Sequence, residues 1–338
     1  MDEQTAEYIV EYFPNLKYLR MWEHCTDKAL LSISALNNLV SIDLTDCNDI
    51  TNQGVQYIIK KIATITTLIL DGCVKLNDEL LNFLIKNKRN LEKIQMEHCY
   101  FTEKAMIKLI KNSPALVSIS VAGNASHKMD ISDHFISEIC VRGSLLRALN
   151  LYRAPITKDS IHLITKHCKL LEEINLGHVN IPDESIARLS KLSNLKRIEL
   201  LSTSITDKTL SLLFSYLSIE EISLQRCSNI TNSGIFEIIP SLSECEYLCL
   251  KSLPIEDNVI YQIANSPPSF IKLKRLDIRG TPVSKESVHD LMEKFPKLHI
   301  FSNYSRVTPL LEFRSLVPPV WNYPTSRIST VRQRKKSL

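Results

Sequence analysis

Glycine and proline are scarce in this 338-residue chain, at 7 and 14 residues. That scarcity argues against collagen-like or low-complexity segments and suits short, uniform turns. No apolar run approaches the length of about 18 residues that a membrane helix needs. The first residues, Met1-Asp2-Glu3-Gln4, are acidic and polar, the wrong character for a signal peptide. No two of the nine cysteines form a CxxC pair. With no secretory signal, a reducing compartment is expected, cytoplasmic and/or nuclear. A Gly-rich phosphate loop, an HExxH helix and a nucleophile elbow are all missing, so no reaction is expected. Hydrophobic residues make up 44% and charged ones 23%, the balance of a folded chain rather than a disordered one.

What is present is a repeat. An apolar residue, two variable positions, then apolar–variable–apolar recurs as Leu39-Val40-Ser41-Ile42-Asp43-Leu44, Leu91 to Met96, Leu171 to Leu176 and Leu195 to Leu200. Weaker copies start near Leu16, Ile65, Leu116, Leu146, Ile219, Cys245, Leu273 and Leu298. Successive starts lie 23, 26, 26, 25, 30, 25, 24, 24, 26, 28 and 25 residues apart. A period in this range means stacked supersecondary units, so one solenoid over residues 1–303 is expected, with about 11–12 repeats.

Within each unit the apolar–variable–apolar core alternates with period 2, the mark of a short strand with one buried face. A Ser, Thr or Asn follows some residues later, often with an acid next to it, as in Thr26-Asp27, Thr51-Asn52, Asn77-Asp78, Thr102-Glu103, Ser132-Asp133, Thr206-Asp207 and Thr231-Asn232. Thr157 and Ser284 stand in the same place. These are helix N-caps, and acids favour the first turn. Apolar residues then recur at helical spacing, as in Leu80, Leu81, Leu84 and Ile85. Strands sit about 4.8 Å apart and helices about 8–10 Å, so the stack is expected to curve. The strands would line an inner arc of about 50–55 Å.

Four turns after the strand read Leu44-Thr45-Asp46-Cys47, Leu70-Asp71-Gly72-Cys73, Met96-Glu97-His98-Cys99 and Leu224-Gln225-Arg226-Cys227, each leading to an apolar residue and then Thr or Asn. This resembles the cysteine-containing leucine-rich repeats. The resemblance implies an α/β leucine-rich-repeat solenoid, a horseshoe with a parallel concave sheet and convex helices. It also implies substrate capture, since F-box proteins of this subclass are substrate receptors of SCF-type ubiquitin ligases. No F-box precedes the repeats, and Glu7 to Phe13 reads as the closing helix of a preceding repeat. The chain therefore reads as a truncated product or an F-box-less relative.

Cys47, Cys73 and Cys99 share one position of the unit and form a line, whereas zinc needs a tetrahedron; core packing is expected, and neither metal nor cofactor. The variable positions in and after the strands are where a solenoid binds. They give candidate partner contacts at Trp22, Asp43, Asp71, Glu97, Tyr152, Arg153, His178, Arg226, Lys251, Arg275 and Arg279. In order they run from acidic to basic, with Tyr152 and Arg153 as central anchors and Trp22 as another. Ordinary solvated polarity is the competing reading. Lys60, Lys61, Lys86, Lys88, Arg89, Lys104, Lys108 and Lys111 populate the early helices, a solvated face or a contact for nucleic acid or membrane.

Extra residues near Gly123 to Asp130 read as a loop at the rim or a neutral insertion, and Ser266 to Phe270 as a lengthened turn. Residues 304–338 lose the repeat. Their prolines and apolar residues suit a cap over the solenoid end, and Arg332 to Lys336 a basic tail or nuclear-import signal. A protein partner on the concave face is the expected function, as part of a ubiquitin ligase or as a ligase-independent scaffold or inhibitor. An anionic-surface binder is the third reading. No small-molecule substrate is expected.

Overall fold

A computed structural model describes residues 2–21, 24–121, 131–141, 145–266 and 272–304. Trp22, the insertion near Gly123, the Pro267-Pro268 turn and the expected cap and tail lie outside the described residues. Those described belong to the compact unit Met1–Asn303, apart from Tyr304.

Helix and strand alternate throughout this unit. The order runs α1 (Glu3–Tyr12), β1 (Tyr18–Arg20), α2 (Asp27–Ile33), β2 (Ser41–Asp43), α3 (Asn52–Lys61), β3 (Thr67–Ile69), α4 (Asp78–Asn87), β4 (Lys93–Gln95), α5 (Glu103–Asn112), β5 (Ser118–Ser120), α6 (Asp133–Cys140) and β6 (Ala148–Asn150). It continues with α7 (Lys158–His167), β7 (Glu173–Asn175), α8 (Asp183–Ile186), β8 (Arg197–Glu199), α9 (Asp207–Tyr216), β9 (Glu221–Ser223), α10 (Asn232–Ile238), β10 (Tyr247–Cys249), α11 (Asp257–Ala264), β11 (Arg275–Asp277), α12 (Lys285–Lys294) and β12 (His299–Phe301). The strands form one 12-stranded parallel sheet in sequence order. Every pairing is in the same register, so Leu19, Ile42, Leu68 and Ile94 fall in one row.

That row points into a single continuous core with the apolar helix faces. Burying each Leu or Ile contributes about 1.5–3 kcal/mol, and no repeat could bury its strand and helix faces alone. All nine N-cap positions expected from the sequence are N-caps here, from Thr26 to Ser284. Pro182, at the N-cap of α8, makes no side-chain capping bond; the helix lasts four residues before passing into a 3-10 turn over Ala187–Lys191. Pro240 similarly converts the end of α10 into a 3-10 turn over Ile239–Glu244, because it has no N–H to continue the helix.

The acid after each cap does more than complement the helix dipole. Both oxygens of Asp78 are used by Thr102 of the next repeat, one by its backbone N–H at 2.8 Å and one by its hydroxyl at 2.6 Å. Asp27, Asp133, Asp183 and Asp207 hold Thr51, Thr157, Thr206 and Thr231 in the same way. Glu103 does so for Ser132. Where the acid is replaced by Asn, its amide takes over, Asn52 pairing with Asn77, and Asn232 donating to the Glu256 carboxylate while accepting from the Glu256 N–H. Adjacent helices are thus clipped together at their N-termini.

Among the described residues, no helix is long and apolar enough to cross a membrane.

Candidate functional site: the sheet face and its turns

The outer rows of the sheet are the first and third residues of each strand, on the face opposite the core. The third-position row is far from solvated. Gln95, Ser120, Asn150 and Asn175 are at most 1% exposed. Neighbouring strands about 4.8 Å apart and their first-position side chains cover them. These side chains close the strand end. Asp43 accepts from the Thr45 N–H at 3.0 Å, Asn150 from Tyr152 N–H at 2.9 Å, Asn175 from Gly177 N–H at 2.9 Å and Asp277 from Arg279 N–H at 3.1 Å. Each satisfies an amide that leaves the strand ladder at the turn.

Three residues after the strand end, the chain turns through the left-handed region. Asp46, His98, Arg153, His178, Ser202, Arg226 and Ser252 have φ between 53° and 60°, and Gly72 and Gly280 reach 73° and 71°. Their N–H groups still pair across repeats: Arg153 to the Gly177 carbonyl at 2.8 Å, His178 to Leu201 at 2.7 Å, Arg226 to Lys251 at 3.0 Å. The turn therefore keeps the register of the sheet and fixes a second row along its edge, in which Asp46, Arg153 and Arg226 are exposed and His98, His178, Ser202 and Ser252 half-buried. The next residue is the cysteine position. The thiols of Cys73, Cys99 and Cys227 each donate to a carbonyl of the preceding repeat at 3.0 Å. All nine cysteines are buried and free. No cluster of three or more His, Cys, Asp or Glu among the described residues is placed to hold a metal ion.

The acidic contacts expected from the sequence are absorbed into the sheet itself. Asp43 pairs with Arg20 at 3.0 Å. Asp71 is buried and accepts from the Glu97 N–H at 2.8 Å. Glu97, 4% exposed, accepts from the Ser120 hydroxyl and from Asn150 Nδ2 at 2.6 Å. Burial pushes the Glu97 carboxyl up to about 7 against those two hydrogen bonds. Burial also raises Asp71, with Glu97 adding like-charge repulsion. This end of the face is a set of buried, hydrogen-bonded carboxyls rather than an open acidic surface.

The basic candidates divide in two. Arg275 is half-buried, pairs with Glu221 at 3.3 Å and stacks over the Tyr247 ring at 4.5 Å. Arg279 grips Asp277 through Nε and Nη2 and lies over Phe301 at 5.4 Å. Both are neutralised within the chain. Arg153, Arg226 and Lys251, by contrast, form no ion pair among the described residues, and Arg153 and Arg226 are exposed. Tyr152 gathers the first of these into a cluster: Arg153 lies over its ring at 5.1 Å and the His178 ring meets it edge-on at 5.3 Å. Gly177 lies against the same ring, where an added Cβ would come within 2.9 Å of Tyr152 Cδ2. Burial lowers the His178 pKa, and the charges of Arg153 and Arg226 lower it further.

The lysine-rich helices are less uniform than their sequence suggests. Lys88 is buried and donates to the Ile62 and Ala63 carbonyls at 3.2 and 2.7 Å, so it is no part of a solvated face. Lys111 pairs with Glu138 at 2.5 Å.

No family model matches the chain. Among solved structures, it is similar to one of the Rad7 and Elc1 complex in yeast, with a TM-score of 0.51 and 16% identity over 88% of this chain and 86% of that one. It is also similar to an internalin (inlF) from Listeria monocytogenes, with a TM-score of 0.48 and 17% identity over 94% of this chain and 87% of that one. At such identities the likeness is one of fold. The fold is the α/β solenoid of leucine-rich repeats, a parallel sheet backed by helices.

Proposed function

We propose that this chain is a protein-interaction module that captures a partner on the sheet face and the turns beside it. One observation carries this reading: side chains from consecutive repeats stand in common register on one face, and Arg153 and Arg226 among them are exposed and form no ion pair among the described residues. Preorganised side chains lose little freedom on binding, which favours recognition of another protein's surface. The finer reading is substrate recognition for an SCF-type ubiquitin ligase, supported by the resemblance of the Cys47, Cys73, Cys99 and Cys227 turns to F-box relatives. The structure of Rad7 in complex with Elc1 has the same fold in a protein assembled with a second chain. Cytoplasm or nucleus is the compartment that goes with this role.

Affinity purification of the tagged full chain from cells tests both levels. Partners retained by a helix-face variant, Lys104→Glu with Lys108→Glu, and lost by Tyr152→Glu would carry the interaction reading. Equal retention by both variants would overturn it. Co-purifying cullin and adaptor subunits, with slower turnover of the partner when the chain is removed, would carry the ligase reading. Stable partners without them would leave a scaffold.

A further inference from the structure

The arginines of the sheet face and its turns are not alike in their charge balance. Arg20, Arg197, Arg275 and Arg279 each meet a carboxylate of this chain. Arg153 and Arg226 meet none among the described residues. They occupy the same left-handed turn position, after β6 and β9, with His178 after β7 between them. Nearby carboxylates do little to cancel their charge. Glu173 is held by Arg197, and Glu199 is half-buried, accepts from the Leu201 N–H at 3.3 Å and is pushed up to about 7 by burial.

The spacing of these cations says what they fit. Three strand intervals separate Arg153 from Arg226, about 14 Å at about 4.8 Å each. One phosphate or one carboxylate cannot bridge that gap. Two acidic side chains about four residues apart on an extended peptide can, at about 3.4 Å per residue. Between the cations, Tyr152 and His178 offer two packed rings suited to an apolar side chain.

Taking the sheet face as the capture surface, we infer that the turns after β6 to β9 dock an extended acidic segment of the partner protein. Two of its carboxylates pair with Arg153 and Arg226, and an intervening apolar residue packs on Tyr152 and His178. Paired acidic residues about four positions apart then become the recognition feature, and electrostatic steering speeds the encounter.

Fluorescence anisotropy with labelled twelve-residue peptides tests this. Each carries one central Leu and two Glu residues placed two, four or six positions apart in a Gly/Ser background, at low salt. The four-residue spacing is expected to bind tightest. Arg153→Glu with Arg226→Glu is expected to weaken it at least tenfold, and Lys104→Glu with Lys108→Glu less than twofold, all with unchanged circular dichroism and melting. The inference is overturned by no binding at 1 mM peptide, by indifference to spacing, or by equal effects of the two double variants. Tighter, equally sensitive binding of a ten-nucleotide thymidine strand would overturn it in favour of nucleic acid. If cellular partners survive Arg153→Glu with Arg226→Glu but are lost with Tyr152→Glu, the acidic segment is excluded while the interaction reading stands.

Discussion

Asp27 holds Thr51 of the following repeat by two bonds at once, from the backbone N–H at 2.8 Å and from the hydroxyl at 2.6 Å. The same hydroxyl accepts from the Gln53 N–H within its own helix at 3.2 Å. A single Thr side chain thus joins a cap to an inter-repeat clip. Bonds to a charged acceptor contribute about 1.5–3 kcal/mol each way of counting. Asp207, which holds Thr231 identically, offers a second copy of the experiment. Asp207→Ala is expected to destabilise the chain by about 2 kcal/mol. Amide hydrogen exchange should show faster opening around Thr231 and slower change in distant repeats, since repeats couple chiefly to neighbours. Uniform exchange throughout would contradict a local clip.

The clip also explains two glycines inside helices. A Cβ on Gly54 would come within 2.2 Å of Asp27 Oδ1, and one on Gly234 within 2.0 Å of Asp207 Oδ1. Helix propensity alone favours Ala over Gly by about 1 kcal/mol. Gly54→Ala and Gly234→Ala are nevertheless expected to lower the urea midpoint. In Gly54→Ala with Asp27→Ala the sign of the glycine substitution should reverse, which a double-mutant cycle reads directly.

Much of this was legible in the sequence, and the part that was not has a common cause. The period gave the strands and the caps, because burial and capping act within one repeat: Ile42 and Thr51 declare themselves locally. The clip escaped, because Asp27 and Thr51 are 24 residues apart and an acid in a first turn already has a sufficient local reason. A cue existed in the small residue three places after several caps, at Gly54, Ala105, Ser160, Gly234 and Ser287. On the sheet face the sequence identified which residues point away from the core but not which are spent. Arg226 and Arg279 both read as basic contacts, yet Arg279 stands one place earlier in its turn than Arg226, where it folds back onto Asp277. Glu97 looked like an open charge because nothing local shows that Ser120 and Asn150 close over it.

The buried carboxylate network predicts a pH dependence. Glu97 lies near 7 in the folded chain and ordinarily near 4.5. Between those values the folded chain binds a proton that the unfolded chain does not, so stability falls as pH rises through this window. Above about 7 the loss is complete, at most about 3 kcal/mol. Glu97→Gln is expected to be more stable than the parent at pH 8 and indistinguishable from it near pH 4. Thermal melting across that range checks the sign; an advantage that grew toward acid would contradict it.

Thiol chemistry should follow burial. The nine cysteines are buried and free, and burial pushes Cys245, for example, up to about 12 despite a bond to the Tyr247 carbonyl. Slow labelling by a thiol reagent in the folded state is expected, with all nine reacting in urea. Cys73→Ala removes the donor to the Leu44 carbonyl and should cost about 1–3 kcal/mol. Rapid labelling of a native cysteine would show that its repeat opens readily.

The clips between helices also set where this chain can be cut and rejoined. Removing residues 195–218 would bring Asp183 to face Thr231, a pair of the same chemistry as the Asp183–Thr206 and Asp207–Thr231 pairs it replaces. Gly234 would then stand where Asp183 needs room. Removing residues 65–90 would instead bring Asn52 to face Thr102, an amide set against a residue suited to a carboxylate. Repeats of similar length are therefore not equally exchangeable: gain or loss of a unit during divergence is least disruptive where an aspartate hands over to a threonine on both sides of the join.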